Sequence, residues 1–426
     1  MKNHQILILG GGTGGIMVAS KFLKEQKGLD IAIVEPSKEH WYQPAWTLVG
    51  AGTFDMNATK RPEKDYIPKR VKWYQNKVEQ ISPDQNQVTL SNGDVVGYEY
   101  LVVALGLENR PDLLDGLADT LGENNVCSNY VDPTYTYEVL KNFKGGNALF
   151  THAPSVLKCP GAPQKMMYLA GEYFKNTSKV LDKTNVIYAF PGSVVFGVEP
   201  FKKRLYEIND ERNTVLKHGY ELVKIDGPNK VAYFKRAFDK NGDGGPITMH
   251  DDNNRIKETE ENGLYKIQYE MLHLAPPQRP LTCVSNSKLA HTEGANTGWM
   301  NVDIHSLQSS NYQNVFGVGD IVALPTAKTG AAIRKQAPVV VSNILSLIKN
   351  GTITDEKYNG YSSCPLVVSY NSMLLAEFGY EGKRMSDPIL KSIFNLGKEN
   401  WFLWILKKYG LPYLYWNKML KGEMMD

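Results

Sequence analysis

The feature that most constrains this chain is a glycine-rich turn near its start. Gly10-Gly11-Gly12-Thr13-Gly14-Gly15 follows the apolar run Gln5–Leu9 and precedes Ile16–Lys24, which reads as a helix; a second apolar run, Asp30–Val34, ends at Glu35. Strand, glycine turn, helix, strand and terminal acid form a βαβ unit carrying G-x-G-x-x-G, the context a dinucleotide fingerprint requires. Each position answers a physical need. Gly10 permits the tight turn, and Gly12 lets backbone N–H groups of the turn and Thr13 approach a pyrophosphate at the helix N-terminus. Gly14 and Gly15 keep helix and strand close, and Glu35 is placed for a ribose hydroxyl. The expectation is an α/β fold with a dinucleotide held by Gly10, Gly12, Thr13, Gly14, Gly15 and Glu35.

The chain has 426 residues, more than one ordinary core accommodates, so two or three domains are expected. A net charge of +3 and the absence of a basic–aromatic array argue against nucleic acid as a partner. The four cysteines, Cys127, Cys159, Cys283 and Cys364, form no C-x-x-C pair, which excludes zinc knuckles and a thioredoxin motif. They are too few and too scattered for a secreted disulfide scaffold. MKNHQILILGGG enters a strand at once, without a signal or transit pattern, so a cytoplasmic setting is expected. No run of 18 apolar residues predicts a membrane span. Asp239–Asn254, rich in Gly, Asp and Asn, reads as an exposed loop without calcium-binding register, and no metal is expected.

Two later stretches distinguish the dinucleotide. Tyr98–Gly106 (YEYLVVALG) is a buried strand ending in Ala104 and Gly106, preceded by the segments Val71–Val78 and Val88–Leu90; Asn314–Asp320 (NVFGVGD) is a strand followed by glycine and an acid, with a helix from Gly330. This set resembles the FAD-dependent pyridine nucleotide–disulfide reductase superfamily. The resemblance implies FAD, with Gly319 and Asp320 at its ribityl chain and the next helix aimed at the flavin ring. By the same resemblance Pro44, Ala104, Gly106, Lys328 and Thr329 line the cofactor. It also implies a discontinuous FAD domain, residues 1–110 with 285–345, and a second Rossmann-like domain at 111–284. Asn147–His152, Asn185–Phe190 and Tyr220–Ile225 read as strands of that second domain, with Val231–Phe234 and Lys266–Tyr269 closing it. Residues 346–426 form a C-terminal region.

In the second domain the first strand leads into APSVLKCPGAPQK, where a second glycine fingerprint would be expected. One glycine between prolines cannot cradle a second pyrophosphate, so NAD binding is expected to be lost; a cysteine stands in its place. Together with YSSCPLVVSYN, LPTAKTGAA, LLAEFGY and LPYLYWNKMLKG, this stretch resembles the sulfide:quinone oxidoreductases, in the branch that includes the mitochondrial enzyme. The matching stretches run in the same order over nearly the whole chain. The resemblance implies a redox bridge between Cys159 and Cys364, a disulfide or a trisulfide. Hydrosulfide attacks the sulfur at Cys364, the released Cys159 thiolate attacks flavin C4a, and a membrane quinone (ubiquinone or menaquinone) reoxidises the flavin. Sulfite, a small thiol or polysulfide takes the persulfide sulfur. Lys165 and Lys328 are implied near the flavin, favouring thiolate or reduced-flavin anion; Cys127 is an auxiliary candidate and Cys283 an inert one. The His40 loop (EHWYQPAWTLVG) is weighed equally as a packed surface loop and as a wall of the FAD and quinone sites. Trp401–Lys421, aromatic and lysine-rich without an acid, reads as two short amphipathic helices divided by Pro412 that rest on a membrane surface. The lysines of this stretch are expected to meet anionic lipid. A homodimer and the cytoplasmic face of a bacterial plasma membrane complete the expectation. The alternatives are a type II NADH:quinone oxidoreductase, which needs the missing second fingerprint, and a non-catalytic FAD-binding scaffold.

Overall fold

The computed structural model describes residues 2–238, 248–252 and 255–423. Residues 239–247, 253 and 254, most of the loop considered for calcium, lie outside the described residues; among those described, no group of acids, histidines and cysteines is arranged to hold a metal ion.

The first sheet is built around Lys2–Leu9, which pairs in parallel with Ile31–Val34 on one side and with Val95–Val103 on the other. Ile6–Leu9 and Ile31–Val34 are almost wholly buried, as strands covered on both faces must be. The sheet extends through Lys72–Tyr74 beyond Ile31–Val34, and through Gln87–Leu90 and Val78–Ser82 beyond Val95–Val103. The Val71–Val78 segment thus spans two strands. Val315–Gly317 pairs with Leu101–Val103, so a strand more than 200 residues away in sequence closes the same sheet. Helices Thr13–Glu25 and Gly330–Asn350 pack against each other beside it.

The second sheet runs Val126–Cys127, Met271–Ala275, Gly146–His152, Thr184–Phe190, Val215–His218 and Thr248–Met249, parallel except for the last strand. One expectation is corrected here. Tyr220–Asp226 does not join the parallel sheet but starts a four-stranded antiparallel sheet with Val231–Arg236, Leu264–Gln268 and Glu258–Glu261. The parallel strand is the short Val215–His218 before it. Gly219, at φ +72°, supplies the left-handed turn that separates the two strands, so two strands adjacent in sequence serve two sheets. A third small sheet pairs Ser362–Ser369 with Ser372–Phe378 and Arg384–Met385, and packs on helix Ala162–Asn176.

The C-terminal segment is one continuous helical run rather than two helices. Trp401–Ile405 passes through a wide π-turn, Leu406–Gly410, into Leu411–Asn417. Pro412 falls in the first turn of the last piece, where a missing N–H is best tolerated. Tyr415, Trp416, Met419 and Leu420 are buried against helix Thr13–Glu25, and the Ser20 hydroxyl donates to the Leu420 carbonyl at 2.8 Å. Trp401, Phe402, Tyr409 and Tyr413 point outward, each more than half exposed. No helix among the described residues is long and apolar enough to cross a membrane.

The close strand–helix approach at the glycine turn is testable. A Cβ on Gly15 would lie 1.8 Å from the Gly10 carbonyl oxygen, a clash with backbone that no rotamer relieves. Gly15→Ala should destabilise the fold by at least about 2 kcal/mol in chemical denaturation, and the purified protein should no longer retain the dinucleotide expected at this turn.

Candidate redox site

The chain leaves strand Gly146–His152, crosses a loop and enters helix Ala162–Asn176. Cys159 sits at the end of that loop with φ +45°, an uncommon conformation for a side-chain-bearing residue. Three contacts hold it there. The Cys159 N–H donates to the Lys328 carbonyl at 3.2 Å, and the Cys159 carbonyl accepts from the Ala162 N–H at 2.9 Å and from the Tyr130 hydroxyl at 2.7 Å. Lys165 lies one turn into the helix. Its ammonium is buried and donates to the Cys159 sulfur at 3.3 Å.

Cys364 comes from the third sheet, 205 residues later in the chain. A Cβ at Gly161 would sit 3.6 Å from its sulfur, so the first turn of the helix is open to it. The two thiols are unbonded, and they hydrogen-bond to each other. The hydrogen bond from Cys364, followed by the Lys165 charge, holds Cys159 well below the ordinary thiol range despite burial. The same hydrogen bond and burial push Cys364 well above it. For Lys165, burial works against the charge but the sulfurs outweigh it and raise the ammonium above its usual value. The lysine contact at 3.3 Å favours thiolate on Cys159 over Cys364.

A second buried cation faces this pair. The Lys407 ammonium donates to the Pro44 carbonyl at 2.8 Å, and burial, then repulsion from Lys165, pushes it down to about 8. This corrects the expectation that Lys407 meets lipid. In an otherwise amphipathic stretch it looked like one more surface lysine, and no local signal separates it from Lys408, which binds the Thr53 hydroxyl. Trp404 and Trp416 are likewise buried, not interfacial. Lys158 was also missed; its ammonium reaches Gln43 Oε1 and lies near Asp320.

Other expected residues fall elsewhere. Cys127 is fully buried in the core, its thiol hydrogen-bonded with Thr136, and burial pushes it up to about 12. It takes no part in the sulfur–lysine set. Cys283 is buried under the first sheet and pushed up to about 11 by burial, an inert thiol. The Lys328 ammonium turns away from the sulfurs. It donates to the Val322 carbonyl at 2.6 Å, lies 4.3 Å from the Trp299 ring centre and faces Asp320; burial pushes it down to about 8. Only its carbonyl touches the cysteine loop. His40 is a buried residue rather than part of a surface loop: its Nδ1 lies 3.0 Å from Glu63 and its Nε2 2.6 Å from the Tyr415 hydroxyl.

The glycine turn fits a dinucleotide. Gly10 has φ +97°, and a Cβ there would meet the Ala104 carbonyl at 2.5 Å; Gly14 faces Val318 and Ala104. A Cβ on Gly12, by contrast, would meet nothing within 4 Å, which leaves the helix N-terminus open for a phosphate. Glu35 accepts from the Gly11 and Ser37 N–H groups, both at 2.7 Å. Gly106 and Gly330 are similarly open. A small cavity, about 10 Å³, is lined by Gly319, Lys328, Thr329, Ala332 and Gln336. Asp320 stands beside it without a side-chain hydrogen bond among the described residues; burial raises its carboxyl, and Lys158 and Lys328 oppose that rise. The Thr329 hydroxyl caps helix Gly330–Asn350 and bonds Ser362, two residues from Cys364.

Two Rossmann-type units with a thiol pair where the second fingerprint would stand define a flavin-dependent disulfide oxidoreductase. The family described as pyridine nucleotide-disulphide oxidoreductase matches residues 4–138. The mitochondrial sulfide:quinone oxidoreductase of Mus musculus is 37% identical over 99% of this chain and 87% of its own length. That of Dictyostelium discoideum is 39% identical over 98% and 86%. The solved sulfide:quinone oxidoreductase of Aquifex aeolicus shares the fold, with a TM-score of 0.79 at 19% identity over 99% of this chain and 92% of that one. The chain belongs to the sulfide:quinone oxidoreductases. Both relatives near 40% identity are mitochondrial, which conflicts with the expected bacterial plasma membrane.

The electrostatics give a direct test. Lys165→Met should shift the pH at which Cys159 is alkylated in reduced protein upward by roughly two units, the effect of losing one close opposite charge. Iodoacetamide labelling across pH, read by mass spectrometry, measures it; an unchanged profile would show that Lys165 does not set the charge on this sulfur.

Proposed function

We propose that this chain oxidises hydrosulfide at Cys159 and Cys364 and passes two electrons through FAD to a membrane quinone. The observation that carries the reading is the asymmetry of the pair: Lys165 lies 3.3 Å from the Cys159 sulfur, and Cys364 stands against it. In the oxidised state the two sulfurs are joined. Hydrosulfide attacks Cys364, the S–S bond breaks, and its electron pair leaves on Cys159. That direction is favoured because the better-stabilised thiolate leaves faster. Cys364 then carries a persulfide, and Lys165 holds the Cys159 thiolate in place. A nucleophilic acceptor (sulfite, a small thiol or polysulfide) takes the outer sulfur, and loss of two electrons returns the pair to the bridged state. FAD, when bound, supplies the two-electron acceptor that hands on to quinone. Gly10–Gly15, Glu35, Ala104, Gly106, Gly319, Asp320 and Thr329 would hold it. In this reading residues 1–110 with 285–345 form the FAD unit, 111–284 the unit that has lost NAD, and 346–426 the cysteine- and membrane-bearing region. The shared sheet that unites Val95–Val103 with Val315–Gly317 supports the discontinuous unit.

Anaerobic sulfide should bleach the bound flavin and NADH should not. Cys159→Ser and Cys364→Ser should each lower sulfide-dependent quinone reduction by at least about a thousandfold, since exchange needs both an attacked and a departing sulfur. Cys283→Ser should stay near wild type. Rapid bleaching by NADH would favour the NADH:quinone alternative instead.

The quinone is expected to arrive through a membrane surface bound by the outward face of the C-terminal run. Trp401, Phe402, Tyr409 and Tyr413 provide aromatic area suited to the interface. Trp401→Ser combined with Phe402→Ser and Tyr413→Ser should weaken co-sedimentation with anionic liposomes at every salt concentration, because lost apolar burial is not restored by ions. Equal partitioning of variant and parent would remove the membrane assignment from this face.

A further inference from the structure

The C-terminal run touches the dinucleotide turn through a buried hydrogen-bond chain that the sulfur chemistry does not use. Glu63 Oε2 lies 3.0 Å from His40 Nδ1, His40 Nε2 lies 2.6 Å from the Tyr415 hydroxyl, and that hydroxyl lies 2.7 Å from Thr13 Oγ1. Glu63, His40 and Tyr415 are each at most 5% exposed. Thr13 opens the helix whose N-terminus the fingerprint presents.

With a singly protonated imidazole, such a chain can be polarised in two senses. If Glu63 is ionised, His40 donates to it, Tyr415 donates to His40 and Thr13 donates to Tyr415. The threonine then offers only lone pairs to whatever lies beyond the turn. If Glu63 carries a proton, every bond reverses: Glu63 donates to His40, His40 to Tyr415, Tyr415 to Thr13. The Thr13 hydroxyl is then free to donate outward.

Three observations select the second sense. The other carboxyl oxygen, Glu63 Oε1, is buried with no hydrogen-bond partner among the described residues. A buried ionised oxygen left so is far costlier than a neutral carbonyl oxygen. That oxygen points at the dinucleotide turn, since a Cβ on Gly11 would lie 2.5 Å from it and 2.6 Å from the Glu35 side chain. Glu35 is thus a neighbouring acid that disfavours a second charge. The nearby cation, Arg61, is spent elsewhere: it donates to the Tyr66 hydroxyl and lies over the Trp416 ring at 4.7 Å. Burial first, and Glu35 in addition, push the Glu63 carboxyl above its ordinary range, with His40 opposing.

We propose that protonated Glu63, His40 and Tyr415 form a polarised wire that turns the Thr13 hydroxyl into a donor toward the cofactor pyrophosphate, so that the C-terminal run helps to retain the flavin. The proposal rests on the FAD reading above. His40 and Tyr415 are positioning residues, acting through Thr13. The wire makes the neutral state of Glu63 the functional one, and Glu63→Gln preserves it: a glutamine amide donates to His40 as the protonated acid does. Tyr415→Phe removes the central link.

The test is titration of apoprotein with FAD by flavin fluorescence, beside the thermal midpoint of the apoprotein, for wild type, Tyr415→Phe, Glu63→Gln, Thr13→Val and the double variant Thr13→Val/Tyr415→Phe. Thr13→Val should weaken FAD binding roughly tenfold, the scale of one lost hydrogen bond to a charged group; Tyr415→Phe, which leaves the Thr13 hydroxyl unoriented but still able to donate, should weaken it by a smaller, several-fold factor, with little change in apoprotein midpoint. Glu63→Gln should bind within about twofold of wild type, and the double variant should be no weaker than Thr13→Val alone, as expected of residues acting in series. Tyr415→Phe equal to wild type, Glu63→Gln as weak as Tyr415→Phe, or additive losses in the double variant would each overturn the wire. Wild-type apoprotein that takes up no FAD would overturn the cofactor reading itself, and the wire with it.

Discussion

A lysine ammonium buried against a cysteine sulfur is the contact on which the remaining site depends. Neither charge is stable alone in that position, because a buried ion costs several kcal/mol unless it is paired. Together they fix each other. The sulfurs keep Lys165 charged, and the hydrogen bond from Cys364 together with Lys165 at 3.3 Å favours thiolate on Cys159. The surrounding architecture serves this contact. The first turn of helix Ala162–Asn176 carries the lysine, and the left-handed backbone at Cys159 turns its sulfur toward it. Tyr130 and Lys328 clamp the loop through its carbonyl and N–H. The third sheet is the platform that brings Cys364 to the same place.

The C-terminal run joins two demands that conflict on a single amphipathic helix. One face must present aromatic rings outward, and the other must complete the core. The π-turn at Leu406–Gly410 widens the helix where these faces change over. It lies where Lys407 points inward to the Pro44 carbonyl while Tyr409 points out. Beyond it, Tyr415 and Trp416 close over the helix that opens at Thr13. The segment is therefore structural for the dinucleotide unit, and loss of it exposes buried surface on helix Thr13–Glu25.

Much of the fold was legible because its signals are local. The glycine spacing, the apolar runs and the acids at strand ends each occupy a few consecutive residues, and backbone sterics tie them to one conformation. The strand at Val315–Gly317 and the helix from Gly330 were readable for the same reason. Val215–His218 was not, since it is only four residues long with Lys217 and His218 in it, and only the sheet with which it pairs separates it from Tyr220–Asp226. Lys407 was misread because a helical wheel gives its face but not what covers that face. Lys328 was placed in the right neighbourhood, yet whether its ammonium or its carbonyl meets the cysteine loop depends on Trp299 and Val322.

By itself the sequence determined that this is an α/β protein with a dinucleotide fingerprint at its start and a cysteine where a second fingerprint would stand. Glycine positions and the residues missing from a motif are properties of the chain, independent of what packs around them. The tertiary structure alone decided which of four cysteines meet, which lysine charges them, and that a carboxyl, an imidazole and a phenol line up behind Thr13. Those are distances between residues far apart in the chain. They decide chemistry because the electrostatic energy of a buried charge depends on neighbours within a few ångströms, whatever their separation in sequence.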